Sequence, residues 1–365
     1  MLLRQLKQQC GSWVYGIGGA LWRMCQTTPK EPKEIKTILI LNLLRIGDTV
    51  VTLPTLEALR QLYPDAKITL VVRSLVKSLL ENNPHIDELI THAGDNSKTS
   101  CQELVPQLPA TDLAVILDTS PWVSWAAHQS GVQKIVAYNT LNRAFAATHR
   151  LPAPPMWNVA VPDYKKEWQV LYQGQAWYAL AVSLGAPAKE VAPILELSQD
   201  VVDKARAWLV KNKIESDFIL CHPGSSPSYL WGEKKFKEFI NQQKYPVVLG
   251  GAPNEKELCE GIAKNTDAKV YAEAKQLSDY AALISLAKHV VSVDTSAAHM
   301  AAAVGVPITV LFGPGDPKIW GPRGISNVHI VQANTPCVGC KAAECFNKTH
   351  ECMDKISVDQ VLNTI

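Results

Sequence analysis

Short, continuously apolar runs recur along this chain, and several of them end in a turn of small and polar residues. The run at 37–43, TILILNL, is apolar on both faces, which predicts a strand buried inside a sheet. A segment with helical spacing follows at 50–64, and a second apolar run, KITLVVR, occupies 67–73. Because strands alternate with helices, the pattern predicts a parallel sheet covered by helices.

The alternation occurs twice along the chain. The first series continues with predicted strands at 87–93, 112–118 and 134–139. Four prolines at 150–163 predict a loop, and a predicted helix at 165–185 ends at Gly185. The second series has predicted strands at 217–224, 245–251, 268–274, 289–294 and 307–314. We therefore predict an α/β fold with two Rossmann-like, doubly wound domains that face each other across a cleft.

The predicted boundaries divide the chain into a leader (1–34), a first domain (35–190), a second domain (191–335) and a cysteine-rich tail (336–365). The apolar part of the leader is shorter than the ~20 residues of a spanning helix. The leader either lies on a membrane surface, packs on the protein or forms a loose tail. No targeting segment is evident, which predicts a cytoplasmic protein. The basic and aromatic residues of the leader are Arg4, Lys7, Arg23, Trp13, Tyr15 and Trp22.

The balance of charge excludes one class of partner. The chain has 36 basic and 34 acidic residues, which gives a formal charge of +2. Because no domain is strongly basic, nucleic acid is not predicted as a partner.

Polar turns follow three of the predicted strands, and ligands of doubly wound sheets bind beyond the carboxyl ends of strands. Small residues in such turns expose backbone N–H groups at a helix start, which attracts anions. A bound diphosphate is one interpretation of the last two turns, and helix capping by serine and threonine is the other. The three turns are Arg45-Ile46-Gly47-Asp48, His222-Pro223-Gly224-Ser225-Ser226 and Asp294-Thr295-Ser296.

Missing motifs exclude several enzyme classes. The turn after the first strand contains only Gly47, so it lacks the G-x-G-x-x-G fingerprint of dehydrogenases. The sequence also lacks a P-loop and a D-x-D pair for a metal-bound diphosphate. Asp48 stands at a helix start beyond a buried strand, where it is either a proton acceptor or an N-cap.

Longer stretches carry a family resemblance. They are LLRIGDTVVTLPTLEALRQLYPDAKITLVV at 43–72, HPGSS at 222–226, VVLGGAPNE at 247–255 and VSVDTSAAHMAAAVGVPITVLFGPGDP at 291–317, with W-x4-F spacing from Trp231 to Phe236. With these motifs the chain resembles glycosyltransferase family nine, the bacterial heptosyltransferases, over about residues 36–365. The resemblance implies a GT-B fold and an inverting transfer from ADP-heptose to the lipopolysaccharide inner core, without a catalytic metal or cofactor. A peripheral location on the inner membrane is then an expectation.

The resemblance also implies roles for individual residues. Asp48 would be the general base, with Arg45 and Gly47 beside it on the acceptor side. The expected donor-binding residues are Gly224, Ser225, Ser226, Glu255, Asp294, Thr295, Ser296 and His299.

Within that donor set, the resemblance assigns separate tasks. Asp294 would bind the donor sugar, and Thr295 and Ser296 would meet its phosphates. Glu255 would bind ribose. His299 would either orient the Asp294 loop or pack as an ordinary buried histidine.

The chain departs from the family at one donor position. Many members have a lysine two residues before the tryptophan, where this chain has Tyr229, which can donate a hydrogen bond but carries no charge. Gly232 also replaces the usual proline. Lys234 or Lys235 would compensate, or both belong to a solvated helix face.

Four cysteines cluster near the end of the sequence with C-x2-C-x4-C-x6-C spacing. The thiols of Cys337, Cys340, Cys345 and Cys352 predict a structural zinc or iron site, reduced core thiols, or disulfides that form after extraction. His350 lies inside the loop and would substitute for one thiol.

Two further functions remain open at the level of sequence. One keeps the fold and the donor but transfers to a protein, as autotransporter heptosyltransferases do. The other is a nucleotide-sugar-binding protein with little transfer, which Tyr229 suggests.

Overall fold

A computed structural model of the 365-residue chain describes residues 20, 31–154, 172–324, 326–342, 344–346 and 348–365. Two compact units make up the chain, Met1–Val191 and Ala192–Ile365, so the division lies one residue from the predicted domain boundary. Most of the predicted leader lies outside the described residues. Among the residues that the structure describes, no helix has both the length and the apolar character to cross a membrane.

The first unit contains a six-stranded parallel sheet with the order β3-β2-β1-β4-β5-β6. The central strands are apolar on both faces and fully buried, which is why their sequences are continuous apolar runs. Its strands are β1 Thr37–Asn42, β2 Lys67–Arg73, β3 Glu88–His92, β4 Leu113–Ile116, β5 Lys134–Asn139 and β6 His149–Pro152.

Six α-helices accompany this sheet in the described part of the first unit. The predicted helix at 50–64 is two helices, because Pro54, which lacks an N–H donor, lies in the first turn of the second one. The predicted helix at 165–185 covers only 173–183 in the described part of the chain. The helices are α1 Ile46–Val50, α2 Leu53–Leu62, α3 Lys77–Leu80, α4 Lys98–Leu104, α5 Pro121–Gln129 and α6 Gln173–Ser183.

The second unit repeats the same topology. Its parallel strands have the order β12-β11-β10-β7-β8-β9, which is the order of the first sheet when each series is counted from its own first strand. The strands are β7 Ile219–His222, β8 Val247–Gly250, β9 Lys269–Tyr271, β10 His289–Val293, β11 Ile308–Phe312 and β12 Val328–Gln332.

The tail at 336–365 is part of this second unit. Met353, Ile356 and Val361 are fully buried in the same apolar cluster as Trp231 and Phe239. The helices of the unit are α7 Gln199–Lys211, α8 Glu233–Asn241, α9 Lys256–Ala263, α10 Leu277–Ser285, α11 Ser296–Ala303, α12 Pro317–Trp320, α13 Glu351–Asp354 and α14 Val358–Leu362.

The predicted fold class, α/β with two Rossmann-like domains, is confirmed, but two strands were not predicted. Strand β6 lies where the prolines predicted a loop, and it can contain Pro152 because an edge strand leaves one side unpaired. Strand β12 follows the last predicted strand, and its half-exposed sequence lacks a continuous apolar run. Both missed strands are edge strands.

Candidate functional site

The predicted base Asp48 lies in the first turn of α1, directly beyond the buried strand β1. Arg45 is the extended residue before the helix, and its carbonyl accepts from the N–H of Thr49 at 2.9 Å. Burial raises the pKa of the Asp48 carboxyl to about 6, although the charge of Arg45 and a hydrogen bond with the Arg45 backbone lower it. The Asp48 carboxyl is partly exposed, so it can both reach a ligand and accept a proton.

A second buried acid, Asp118, follows the neighbouring strand β4 and was not among the predicted site residues. The side-chain amide of Asn96 donates to both of its oxygens, at 3.0 and 3.1 Å, and the N–H of Ser120 donates to it at 2.7 Å. Burial raises the pKa of Asp118 to about 6, and the charge of Asp48 acts in the same direction. An acid directly after an apolar run is the same signal that identified Asp48, so the sequence did contain it.

An arginine lies near the same end of the first sheet. Arg143 follows β5 after a turn in which Leu141 and Asn142 both have left-handed backbone angles, with φ of 51° and 61°. Its Nε atom is buried and has no hydrogen-bond partner among the described residues. A buried guanidinium nitrogen without a partner is suited to bind an anionic ligand group.

In the second unit, the turn after β7 brings two of the predicted donor residues into contact. Gly224 is buried, and a side chain at this position would collide with the carboxylate of Glu255. The Glu255 carboxylate is held by the N–H of Ala252 at 2.8 Å. Glycine is therefore required at 224 as long as Glu255 keeps this position.

His222 lies beside that carboxylate. Its Nε2 lies 3.8 Å from Glu255 Oε2, and its Nδ1 lies 2.7 Å from the hydroxyl of Tyr280 on α10. Burial lowers the pKa of His222, opposed by the nearby Glu255, so the ring is neutral at pH 7. At this distance a neutral ring forms neither an ion pair nor a hydrogen bond with Glu255, so it only packs next to it.

The turn after β10 adjoins the turn after β7, because the two strands pair directly. The hydroxyl of Ser225 donates to the backbone carbonyl of Asp294 at 3.5 Å. Thr295 caps α11 by accepting from the N–H of Ala297 at 3.2 Å. Four of the predicted donor residues, Ser225 and 294–296, thus lie together in the structure, with Ser226 exposed next to them.

The carboxyl of Asp294 in this turn has a strongly raised pKa. Burial raises its pKa to about 7, so it is close to half protonated in neutral solution. Its oxygen packs against Gly315, where a side chain would overlap it. His299 lies further along α11, and burial lowers its pKa to about 4. Its Nδ1 has no hydrogen-bond partner among the described residues, and it stays a predicted site residue.

The position of the missing lysine is occupied by a neutral phenol near Asp294. Burial, followed by the charge of Asp294 and two neighbouring thiols, raises the pKa of Tyr229 to about 12. Lys235 was predicted either to compensate or to be solvated, and both predictions are wrong. Its ammonium donates to the carbonyls of Met353 at 3.1 Å and Ile356 at 3.0 Å, because the tail folds over α8. Lys234 is exposed.

The cysteine cluster does not form the predicted metal site. Within the described part of the chain, no group of three or more His, Cys, Asp or Glu side chains is arranged to hold a metal ion. Cys352 is buried, Cys337 and Cys345 are half-buried, and Cys340 is exposed. Burial, followed by the effect of the neighbouring thiols, raises the pKa of Cys352 to about 11, which keeps it protonated.

Comparison with known proteins supplies the family. The model of a family described as "Glycosyltransferase family 9 (heptosyltransferase)" matches residues 128–350. Lipopolysaccharide heptosyltransferase 3 of Escherichia coli K12 is 24% identical over 297 residues, covering 76% of this chain and 82% of the relative.

Two solved structures have the same fold. A glycosyl transferase family 9 protein from Veillonella parvula superposes with a TM-score of 0.75 at 21% identity, covering 93% of this chain and 98% of the other. The E. coli ADP-heptose lps heptosyltransferase II superposes with a TM-score of 0.72 at 19% identity, covering 90% and 97%. Both comparisons extend over nine-tenths or more of the chain.

Proposed function

This chain belongs to glycosyltransferase family 9, the heptosyltransferases, and we propose that it transfers a heptose from ADP-heptose to the inner core of lipopolysaccharide. The names of a similar E. coli enzyme and a similar E. coli structure support this donor and this acceptor. The observation that carries the proposal is the pairing of the two donor turns, where Ser225 donates to the Asp294 carbonyl and Glu255 packs against Gly224.

On the donor side, the diphosphate is held mainly by backbone and hydroxyl groups. The first N–H groups of α11 and those of the turn at 224–226 provide partial positive charge. Tyr229 adds a neutral hydroxyl where many relatives have a lysine. Asp294 binds hydroxyls of the heptose, and Glu255, held by the N–H of Ala252, binds hydroxyls of the ribose.

On the acceptor side, Asp48 removes the proton from the attacking hydroxyl. The acceptor oxygen forms a bond to the anomeric carbon from the face opposite the leaving group. The bond from that carbon to the ADP oxygen breaks, so the configuration inverts and ADP leaves with the electron pair. A carboxylate with a pKa of about 6 is mostly ionised at pH 7 and is still basic enough to accept the proton.

The negative charge of the leaving ADP is stabilised by the amide groups that already surround it, so the reaction needs no metal. The sequence has no D-x-D pair that would hold such a metal. Arg45 and Arg143 supply positive charge at the carboxyl end of the first sheet for the anionic sugars and phosphates of the lipopolysaccharide core.

The location of the enzyme follows from the same acceptor. We propose that it is a cytoplasmic protein whose basic, aromatic leader binds the inner face of the inner membrane. Sedimentation of the full chain with anionic vesicles tests this, and the Arg4→Glu/Lys7→Glu variant should stay in the supernatant. Equal binding of both proteins would contradict it.

A donor and acceptor screen tests the proposed function. The purified chain is incubated with ADP-, UDP- and GDP-sugars and with a lipopolysaccharide core that lacks heptose, and product is followed by mass spectrometry. The expected result is one added heptose from ADP-heptose alone. Heptose on an autotransporter protein but not on the lipid, or binding of ADP-heptose without transfer or hydrolysis, would contradict the proposal.

A further inference from the structure

Asp118 is a buried carboxylate that the proposed reaction does not use. It is 2% exposed, which is unusual for a charged side chain in a position without an ion pair. Its recorded hydrogen-bond donors are neutral groups: the Asn96 amide and the backbones of Thr119 and Ser120. These donors favour the ionised form, so a negative charge is held inside the first unit.

The sheet places this charge next to the Asp48 turn. Strands β1 and β4 pair in parallel, with Leu41 opposite Ile116, and the N–H of Leu117 donates to the carbonyl of Leu41 at 2.9 Å. The two strands therefore end side by side, and the chain beyond each end carries one acid. Asp48 and Asp118 lie close enough to interact electrostatically.

A closed set of hydrogen bonds holds Asp118 in place. Asn96 donates to its carboxylate, Ser120 donates to it through the backbone, and the Ser120 hydroxyl donates to the Asn96 carbonyl at 2.6 Å. Three separate segments are thereby joined: the loop before α4, the end of β4 and the start of α5. Because Asp118 is enclosed and its oxygens are already engaged, it is poorly placed to touch a ligand itself.

We propose that Asp118 is a positioning residue for the base: its buried negative charge, held by Asn96 and Ser120 at the end of the strand next to that of Asp48, makes the Asp48 carboxylate a stronger proton acceptor. The inference rests on the proposed function, because it requires Asp48 to be the base.

The charges around the pair act in opposite directions. Arg45 favours the ionised form of Asp48. The charge of Asp48 raises the pKa of Asp118, and because Coulomb repulsion between two carboxylates is reciprocal, the ionised form of Asp118 disfavours that of Asp48 in turn. The thiol of Cys101 also interacts with Asp118, but burial raises its pKa to about 12, so it adds no charge at neutral pH. Removing the negative charge of Asp118 therefore leaves Arg45 as the dominant neighbour and lowers the pKa of Asp48.

The pH profile of transfer tests this. In the Asp118→Asn variant, the acidic limb of kcat/KM should move down by about one pH unit, as expected for two charges several Å apart at a partly buried site. Turnover at neutral pH should fall as well, since Asp48 becomes a weaker base. A purely structural role would lower activity without moving the limb, and that result would overturn the inference.

Two further measurements keep the test independent of folding and of turnover. Asn96→Ala removes the side-chain donors and so destabilises the ionised form of Asp118. The acidic limb of kcat/KM in this variant should therefore also move down, by a smaller amount. Carbon-13 NMR of aspartate carboxyls, assigned with Asp48→Asn and Asp118→Asn, should show Asp48 titrating at lower pH when Asp118 is replaced. An unchanged Asp48 titration would overturn the inference even if activity were lost.

The outcome also separates this inference from the proposed function. If Asp48→Asn retained full transfer, the assignment of the base would be wrong and the inference would fall with it. If Asp48→Asn abolished transfer and Asp118→Asn left the limb in place, the proposed function would stand and only the role of Asp118 would be rejected.

Discussion

The two sheets have the same strand order, yet their carboxyl ends carry different chemistry. At the first sheet, which we call the acid edge, burial raises the pKa values of two carboxyls to about 6, those of the half-buried Asp48 and the buried Asp118. At the second sheet, the amide edge, residues 224–226 and 294–296 present backbone N–H groups and hydroxyls around two carboxyls, Asp294 and Glu255. The comparison teaches that topology decides where a site lies, while a few residues after each strand decide what it does.

The largest effect should come from the acid edge. Replacing Asp48 with Asn removes the proton acceptor, so transfer should fall by about 10²–10⁴-fold. Because the donor turns belong to the other unit, ADP affinity should stay the same, which calorimetry can measure. Substantial turnover in this variant would show that the acid edge is not the source of the base.

Gly224→Ala tests the amide edge with a minimal change. The added methyl would overlap the Glu255 carboxylate, so this flexible side chain has to move away. Losing its charged hydrogen bonds to the ribose costs about 1.5–3 kcal/mol, so ADP affinity should drop by roughly ten- to a hundredfold. Gly232→Ala is the control, because its methyl meets no atom within 4 Å and any strain from its φ of +96° affects folding and not ADP. Unchanged ADP binding by Gly224→Ala would exclude Glu255 from the donor site.

Two adjacent lysines show how far the amide edge depends on the tail. Lys235→Ala removes a charged donor to tail carbonyls and should lower the free energy of unfolding by about 2 kcal/mol. Lys234→Ala, one residue away and exposed, should change it by less than about 0.5 kcal/mol. Equal midpoints for the two variants in urea unfolding would mean that Lys235 does not fasten the tail.

The last prediction concerns the pH dependence of stability. Burial raises the pKa of Asp294 from 3.8 to about 7, so its contribution to stability is complete below pH 3.8 and is lost as the pH rises through 7. Asp294→Asn removes that loss and should be more stable than the natural chain at pH 8, by up to about 4 kcal/mol. The difference should shrink towards pH 4, as thermal unfolding at both values can show. A variant that is less stable at pH 8 would indicate an unrecognised partner for Asp294.

The central strands could be predicted from sequence because they are buried on both faces and therefore read as continuous apolar runs. Edge strands β6 and β12 could not, since each has one unpaired side and a mixed sequence, and β6 also contains Pro152. The turns could be predicted once the strands were, because each turn begins where an apolar run ends. A parallel sheet collects its strand ends at one edge, so the residue after each apolar run is a candidate.

Contacts between distant segments were beyond sequence reasoning. Nothing local to EKKF distinguishes Lys234 from Lys235, and only the folded tail shows that one of them is engaged. Asp118 ends an apolar run, so the sequence marked it as a candidate. What holds its carboxylate is the amide of Asn96, which lies in a different loop and could not be inferred from the sequence. The cysteine spacing suggested a metal, whereas the depth at which each thiol lies depends on how the tail packs.

The loop at 227–231, which follows the turn at 224–226, is joined to the tail by hydrogen bonds that span a long stretch of sequence. The Ser228 hydroxyl donates to the Ala342 carbonyl and the Trp231 indole to the Ile356 carbonyl, across 114 and 125 positions. During synthesis on a ribosome, the loop is made long before its acceptors exist. The loop therefore cannot form these bonds until residue 356 has emerged, so a ribosome that stalls before this point leaves the loop beside the proposed donor turn unfastened.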